Sequence, residues 1–259
     1  MQSAFLYVLF GTGFTFLMTM LGAAIVFFFK KEISDRTQKI FLGFAAGVMM
    51  AASIWSLLIP AIEGSNHLGK LGFVPAAGGF LAGGVFIGGM DILFKRLSTK
   101  IKSENALMIT AVTMHNIPEG MSVGVAFAMA SLSMDRSMLY AAIVFAFGIG
   151  IQNFPEGAAI SLPLRNEGNS RIRSFLISTM SGAVEPVFGL LTVLIASSIR
   201  EFMPWMLSIA AGAMIYVVVD ELIPRANDVG GEKGDSSVGT VAIISGFLIM
   251  MILDVAFSR

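Results

Sequence analysis

The sequence contains no cysteine, and only 13% of its 259 residues are charged. Without cysteine, neither a disulfide framework nor a thiolate metal cluster can form. Soluble domains carry about 25% charged residues, whereas 56% of this chain is hydrophobic and its mean hydropathy is +0.82. The composition therefore excludes a soluble domain of this length and indicates a membrane protein.

The chain also lacks an excess of charge of either sign, with 17 basic and 17 acidic residues. No basic field points to nucleic acid, so we expect no nucleic-acid partner. No nucleotide-binding P-loop is present, so we expect no nucleotide-driven pumping by this chain alone. The first 29 residues are apolar and lack the basic start of a secretory signal, so we expect a retained first span.

Long apolar windows dominate the sequence, and a helix that crosses the hydrocarbon needs about 20 such residues. Eight windows qualify: 4–29, 40–62, 71–94, 106–131, 137–163, 174–199, 202–224 and 238–257. Because backbone groups in lipid must be satisfied internally, runs of this length are expected to be helices. We therefore predict an all-α polytopic membrane protein with eight transmembrane helices, forming one transporter domain over residues 1–259.

The basic residues between the windows predict the orientation. Thirteen of the 17 Lys and Arg residues lie on the side of the loops after spans 1, 3, 5 and 7, and four lie on the other side. The positive-inside rule therefore predicts that both termini are outside the cell. All connecting loops are short, so the activity is expected to lie within the membrane.

Spans 2 and 7 share a pattern that predicts an inverted repeat. Residues 42–49 read LGFAAGVM and residues 207–214 read LSIAAGAM, and each span then ends in an LIP triplet. The two spans run in opposite directions across the membrane. Many secondary transporters place their substrate site near the midplane at the interface of such repeats.

Spans 4 and 5 carry a matching polar hexamer, HNIPEG at residues 115–120 and QNFPEG at residues 152–157. Positions i and i+4 of a helix share a face, so each glutamate lies beside the first residue of its hexamer. Each proline removes a backbone hydrogen bond, and freed carbonyls at membrane depth are tolerated beside a wet cavity. A rise of ~1.5 Å per residue places these side chains near the midplane. The candidate metal ligands here are His115, Asn116, Glu119, Gln152, Asn153 and Glu156.

Three glutamates lie in this slab, because Glu185 of span 6 has the same depth as Glu119 and Glu156. An ionised residue at the bilayer centre costs about 2.5–3.5 kcal/mol, and no Lys or Arg lies in any window. A bound dication would neutralise the carboxylates. Imidazole, carboxylate and amide groups suit zinc and neighbouring divalent metals, and Met49 on span 2 adds a thioether. Interhelical hydrogen bonding alone explains the amides but not three glutamates.

Five further residues are candidates for the metal pathway. Ser56 and Glu63 lie on one stripe of span 2 and predict an outer access route, with a solvated helix end as the alternative. Asp91 on span 3 and the pair Asp220 and Glu221 on span 7 lie near the cytoplasmic ends of their spans. They predict an inner exit region, with interfacial charged residues as the alternative.

The two hexamers, followed by LPLRN at residues 162–166, resemble those of the ZIP (Zrt/Irt-like) metal transporters, most of all the GufA subgroup. The resemblance covers essentially the whole chain. It implies a 3+2+3 arrangement of helices with inverted repeats around spans 4 and 5, two adjacent midplane metal sites, and a homodimer. It implies a first site of His115, Glu119, Gln152 and Glu156 with Met49 nearby. It implies a second site completed by Asn116, Asn153 and Glu185.

This chain departs from the family pattern at two positions. Many ZIP proteins have histidine or acidic residues where this chain has Gln152 and Asn153. Neutral amides lower the charge of the ligand set, which argues against a fully occupied two-metal centre and favours a broader metal choice.

We therefore expect uptake of a divalent transition metal, zinc before others, across the plasma (inner) membrane by alternating access. Zn²⁺ is the expected substrate, with Cd²⁺, Fe²⁺, Mn²⁺, Cu²⁺ and Ni²⁺ also compatible, and no cofactor is expected. A selective divalent-metal channel would use the same ligands and is the alternative. An enzyme is disfavoured because the order H-N-x-P-E differs from the H-E-x-x-H of zinc proteases. The expected partners are the lipid bilayer and the metal ion.

Overall fold

The computed structural model describes residues 2–29, 34–97, 104–133, 136–199, 202–228 and 236–257. Every regular element in these ranges is helical. The α-helices in chain order are α1 (Gln2–Ala23), α2 (Asp35–Ala52), α3 (Ile59–Gly64), α4 (Phe73–Leu97), α5 (Glu104–Ser133), α6 (Arg136–Asn166), α7 (Arg171–Gly182), α8 (Val184–Ile199), α9 (Met203–Val217), α10 (Ile223–Asp228) and α11 (Ser236–Phe257). The expectation of an all-helical polytopic protein is confirmed in the described part of the chain.

Seven helical stretches within these ranges are long and apolar enough to cross a membrane. They are Ala4–Phe27, Asp35–Gly64, Phe73–Leu93, Arg136–Asn166, Arg171–Leu194, Met203–Asn227 and Ser237–Ala256. The remaining predicted window, 106–131, lies inside α5, a continuous helix of 30 residues. The polar hexamer near the middle of α5 lowers the hydropathy of this helix. An eighth span therefore stays a prediction.

Serine caps begin two of the helices on the side of the basic loops. The hydroxyl oxygen of Ser34 accepts a hydrogen bond from the backbone amide of Thr37, and that of Ser170 accepts one from Arg173, both at 3.2 Å. Such caps satisfy amides that the first turn of a helix leaves without partners. They help to set where the second and sixth spans begin.

Spans 2 and 7 both contain a wider, π-helical turn just before an Ile-Pro pair. Ser53–Leu58 joins α2 to α3, and Val218–Leu222 joins α9 to α10. Proline lacks an amide hydrogen, and its ring clashes with the carbonyl four residues earlier, so a wider turn before Pro60 or Pro224 relieves the conflict. Such turns are frequent at functional sites, and these two contain three of the predicted pathway residues.

The helices pack in four close pairs: α1 with α6, α5 with α8, α2 with α11, and α4 with α9. Glycines bring the backbones together in each pair. A Cβ on Gly83 of α4 would collide with the carbonyl of Ile209 on α9, and one on Gly212 of α9 with the carbonyl of Phe80 on α4. Reciprocal glycines of the same kind lie in the other three pairs: Gly47 and Gly246, Gly22 and Gly157, and Gly120 and Gly189.

Candidate metal centre

The polar hexamers lie on α5 and α6, which pack against one another. Both helices continue through their hexamers. The five polar hexamer residues whose side chains the structure describes are at most 2% exposed: Asn116, Glu119, Gln152, Asn153 and Glu156. Polar side chains with this degree of burial need hydrogen-bond or ionic partners, so their contacts decide what the cluster can bind.

Gln152 links the two hexamers through a side-chain hydrogen bond. Its Nε2 donates to Oε1 of Glu119, and the sulfur of Met214 on α9 lies 4.0 Å from the same nitrogen. Oε2 of Glu119 and Oε1 of Gln152 have no hydrogen-bond partner among the described residues. One carboxylate oxygen and one amide oxygen are therefore left with lone pairs that a cation can accept.

Asn153 makes the corresponding contact with Glu185 of α8. Its Nδ2 lies 3.0 Å from both Oε1 and Oε2 of Glu185, and the hydroxyl groups of Thr15 and Thr19 on α1 lie beside the same carboxylate. Glu185 is in the first turn of α8, just after the helical break at Ala183. Pro186 follows Glu185, and because proline has no amide hydrogen it cannot bond to the carbonyl four residues earlier, which favours a break at this point.

Asn116 completes this buried set from α5. Its Nδ2 donates to the carbonyl oxygen of Ser181 at 3.2 Å. Its Oδ1 and the Oδ1 of Asn153 have no hydrogen-bond partner in the described part of the chain. Together with Oε2 of Glu119 and Oε1 of Gln152, these are four buried acceptor oxygens without hydrogen-bond partners among the described residues. An unsatisfied buried polar group costs about 1–3 kcal/mol, so the protein holds these four oxygens at a cost.

Three carboxylates converge on the same region. Glu156 and Glu185 lie within electrostatic range of Glu119, and all three side chains are buried. Like charges at such distances repel one another in a low-dielectric interior. A group of buried carboxylate and amide oxygens with net negative charge suits a hard or borderline divalent cation.

The remaining predicted ligands of the first site are His115 and Met49. The side chain of His115 lies outside the described residues, although its backbone belongs to α5. Met49 on α2 is fully buried, and it lies in the same cluster of buried hydrophobic side chains as Met214.

Three residues beside the centre are missing from the sequence prediction: Met214, Thr15 and Thr19. Met214 is the repeat counterpart of Met49, because LSIAAGAM aligns with LGFAAGVM. Thr15 and Thr19 are fully buried on α1, as is Thr12. Their spacing of three and four residues within an otherwise apolar span indicates one polar helix face, which the sequence analysis overlooked.

The two predicted outer access residues, Ser56 and Glu63, differ in burial. Ser56 is buried and donates a hydrogen bond to Oδ1 of Asp254 on α11 at 2.6 Å. Ser56 also lines a cavity of about 450 Å³, together with Pro60, Met129, Met138 and Met203. Glu63, on α3, is exposed.

Asp254 is not among the pathway residues predicted from the sequence, yet a repeated sequence pattern points to it. Residues 91–96 read DILFKR and residues 254–259 read DVAFSR, which share D-x-x-F-x-R. The shared pattern relates Asp91 near the end of α4 to Asp254 near the end of α11.

The inner pathway residues are brought together by the fold. One carboxylate oxygen from each of Asp91, Asp220 and Glu221 lies within 4.8 Å of the other two. Nε of Arg225 lies 3.4 Å from Oε2 of Glu221. Asp91 is on α4 and the other two acids are in the π-helical turn after α9, so the packing of α4 against α9 creates the cluster.

Apolar helices of membrane-spanning length, with buried carboxylates and amide oxygens between them, define an integral multi-pass membrane protein with a site suited to a divalent cation. A family model described as ZIP zinc transporter matches residues 142–254. Zinc transporter ZIP11 of Homo sapiens is 36% identical, and the match covers 98% of this chain and 98% of that protein.

Two bacterial relatives match at 34% identity. For zinc transporter GufA of Myxococcus xanthus the match covers 87% of this chain and 89% of the relative. For zinc transporter ZIPB of Bordetella bronchiseptica it covers 96% of this chain and 81% of the relative. The chain belongs to the ZIP zinc transporter family, as the hexamers led us to expect.

Proposed function

We propose that this protein moves zinc, and related divalent transition metals, into the cytoplasm through a centre between spans 2, 4, 5 and 6. The observation that carries the proposal is the set of four buried acceptor oxygens, on Asn116, Glu119, Gln152 and Asn153, without hydrogen-bond partners among the described residues. Oxygens of this type bind a divalent cation directly or through its water ligands. The names of the relatives support zinc as the transported ion.

Within this centre, Glu119, Gln152 and Glu156 would ligate the metal, with His115 and Met49 completing the set. Carboxylate charge favours cation binding, and the amide of Gln152 adds a neutral oxygen ligand. Met214 is close enough to Gln152 to contribute to the wall of the site. Zinc bound in this way is a substrate, not a resident cofactor.

The proposed architecture has eight spans in a 3+2+3 arrangement within a single domain of residues 1–259, with both termini outside. The packing supports an internal two-fold relationship that exchanges spans 1–3 with spans 6–8 and span 4 with span 5. This exchange turns the pair α2–α11 into α9–α4, and the pair α1–α6 into α8–α5. The glycines at the close contacts follow the same exchange, since Gly47 and Gly212 occupy equivalent positions of the two AAG motifs.

The pathway would run from an outer mouth at Glu63, Ser56 and Asp254 to an inner mouth at Asp91, Asp220 and Glu221. Each mouth would lie at one of the two π-helical turns. Inward movement of a dication is favoured by about 4.6 kcal/mol for an inside-negative potential of 100 mV. The cytoplasmic membrane is the compartment boundary where such a potential acts, and we propose it as the location.

A selective divalent-metal channel is the second candidate, because it would use the same ligands. Saturable flux at low turnover would favour the carrier, and flux proportional to the metal gradient at high turnover would favour the channel. The dependence of zinc uptake into proteoliposomes on zinc concentration separates the two candidates.

The test is zinc uptake into proteoliposomes that contain the purified full chain, as wild type and as His115→Ala and Glu156→Ala variants. We expect saturable uptake that both variants lose while keeping their melting temperature. His67→Ala and Glu167→Ala are matched controls on exposed residues and are expected to transport normally. Absence of uptake of zinc, or of any competing divalent ion, by folded wild-type protein would refute the proposal.

A further inference from the structure

The candidate centre has two halves, one around Glu119, Gln152 and Glu156 and one around Glu185 and Asn153. They are not equally available to a cation. In the half around Glu185, both carboxylate oxygens already accept from Nδ2 of Asn153 at 3.0 Å. The hydroxyl groups of Thr15 and Thr19 lie beside the same carboxylate. A cation that chelated both oxygens of Glu185 would have to displace the amide nitrogen of Asn153.

The half around Glu119 is arranged differently. Gln152 donates to only one oxygen of Glu119, and the second oxygen has no hydrogen-bond partner within the described ranges. The amide oxygen of Gln152 is in the same state. The half around Glu119 therefore presents two acceptor oxygens without hydrogen-bond partners among the described residues, whereas both oxygens of Glu185 already accept from Asn153.

Charge balance leads to the same division. If Glu119, Glu156 and Glu185 are ionised, they supply three negative charges. The Nδ2 group of Asn153 donates to both oxygens of Glu185 and stabilises its charge. Glu119 and Glu156 then supply the two negative charges that one dication requires. An aspartate in place of Asn153 would remove the Nδ2 donor and add a fourth negative charge. Four negative charges would balance two dications.

We propose that the centre holds one divalent ion at a time, on the Glu119–Gln152–Glu156 half, and that Asn153 excludes a second ion by occupying Glu185. This inference rests on the proposed function. Asn153 and Glu185 are then positioning residues, and the amide oxygens of Asn116 and Asn153 accept hydrogen bonds from water ligands of the single ion. Partners of this kind orient a metal site without touching the metal.

The decisive variant is Asn153→Asp in the purified full chain loaded with Zn²⁺. Zinc bound per chain is measured after equilibrium dialysis, and the value for Glu119→Gln is subtracted to remove ions at the two mouths. We expect one centre ion in the wild type and two in Asn153→Asp. X-ray absorption at the zinc edge is expected to show a zinc–zinc distance of about 3.5–4 Å only in the variant.

Glu185→Gln provides a second test that does not depend on how Asn153→Asp folds. We expect it to retain one centre ion with zinc affinity lowered about 10- to 100-fold, as for a residue that supports a metal site indirectly. Glu119→Gln should abolish centre binding altogether. Equal losses in the two variants would overturn the inference, because Glu185 would then be a ligand of the same rank.

The remaining outcomes separate this inference from the proposed function. If the wild-type protein transports zinc, binds two ions at the centre and shows a short zinc–zinc distance by X-ray absorption, this inference is overturned and the proposed function is not. A folded Asn153→Asp variant that gains no second ion would also overturn the inference alone. Wild-type protein that binds no zinc at the centre and transports none would overturn the proposed function and this inference together.

Discussion

Gln152 on α6 donates a hydrogen bond to one carboxylate oxygen of Glu119 on α5, across the interface of the two hexamer helices. This contact fixes the amide with its nitrogen toward Glu119 and its oxygen free. A glutamine can therefore stabilise the buried glutamate in the metal-free protein and still offer an oxygen ligand. A carboxylate in the same place could do only the second of these.

The Gln152→Glu variant tests this double role. It replaces an N–H donor with a second carboxylate, so the metal-free protein is expected to lose about 1–3 kcal/mol of stability. Zinc should restore the melting temperature, because a dication neutralises the added charge. The measurement is thermal unfolding in detergent with chelator and with Zn²⁺.

Gln38→Glu is the matched control for that experiment. The oxygen of Gln38 accepts from Nδ2 of Asn166 at 3.0 Å near the basic-loop end of α2, and a glutamate keeps that acceptor. Its melting temperature should change little and should not respond differently to zinc. A Gln152→Glu protein that is as stable as wild type without metal would contradict the prediction.

Ser56→Ala tests the outer mouth. Removal of the hydroxyl leaves Oδ1 of Asp254 without the 2.6 Å bond, and a hydrogen bond to a charged group contributes about 1.5–3 kcal/mol. Because Asp254 is then held less firmly at the mouth, we expect KM for zinc uptake to rise by about tenfold with little change in maximal rate. Uptake is measured as a function of external zinc.

Ser53→Ala is the control for the outer mouth, three residues away in the same π-helical turn. The Ser53 hydroxyl donates to the carbonyl of Met49 within its own span at 2.7 Å, so its loss removes a hydrogen bond within one span rather than one between helices. Equal effects of the two alanine variants on KM would show that the turn, rather than the contact with Asp254, determines uptake.

Asp91→Asn and Asp220→Asn test the inner acidic cluster. Each removes one charge from a group whose oxygens lie within 4.8 Å of one another. Clefts lined by charge of one sign concentrate counter-ions by about tenfold or more, so both variants should slow zinc uptake with little loss of stability. Asp35→Asn, on an exposed residue at the start of α2, removes the same charge and should have no effect. Unchanged uptake in both cluster variants would exclude this cluster from the pathway.

Gly83→Ala tests the close contact of α4 with α9. The added methyl group would collide with the carbonyl of Ile209, and overpacking of this kind costs about 1–3 kcal/mol. Gly89→Ala lies on the same helix, and nothing lies within 4 Å of the added carbon. We expect a lower melting temperature for Gly83→Ala only. A similar decrease for both would attribute the effect to glycine replacement in general.

The helices and most candidate ligands were predictable from local properties of the sequence. Apolar windows of sufficient length predicted seven stretches that the structure confirms as helices of spanning length, with ends that differ by a few residues. Burial of Glu119, Glu156 and Glu185 was predictable because charged residues inside apolar windows must lie deep in the membrane or between helices. Hexamer spacing predicted that each glutamate shares a helix face with the first residue of its motif.

Which side-chain atoms contact one another depends on how the helices pack. Whether Asn153 donates to Glu185 or offers its oxygen depends on how α6 and α8 are placed by close packing, and no spacing within one helix determines that. The same holds for Ser56 with Asp254, which are 198 residues apart, and for Asp91 with Asp220. Sequence periodicity is a property of one helix, whereas these contacts depend on backbones that approach one another at glycines in the α1–α6, α5–α8, α2–α11 and α4–α9 pairs. Local patterns in the sequence were therefore enough to predict the helices and the family, whereas the packing of those helices leaves particular oxygens without hydrogen-bond partners among the described residues.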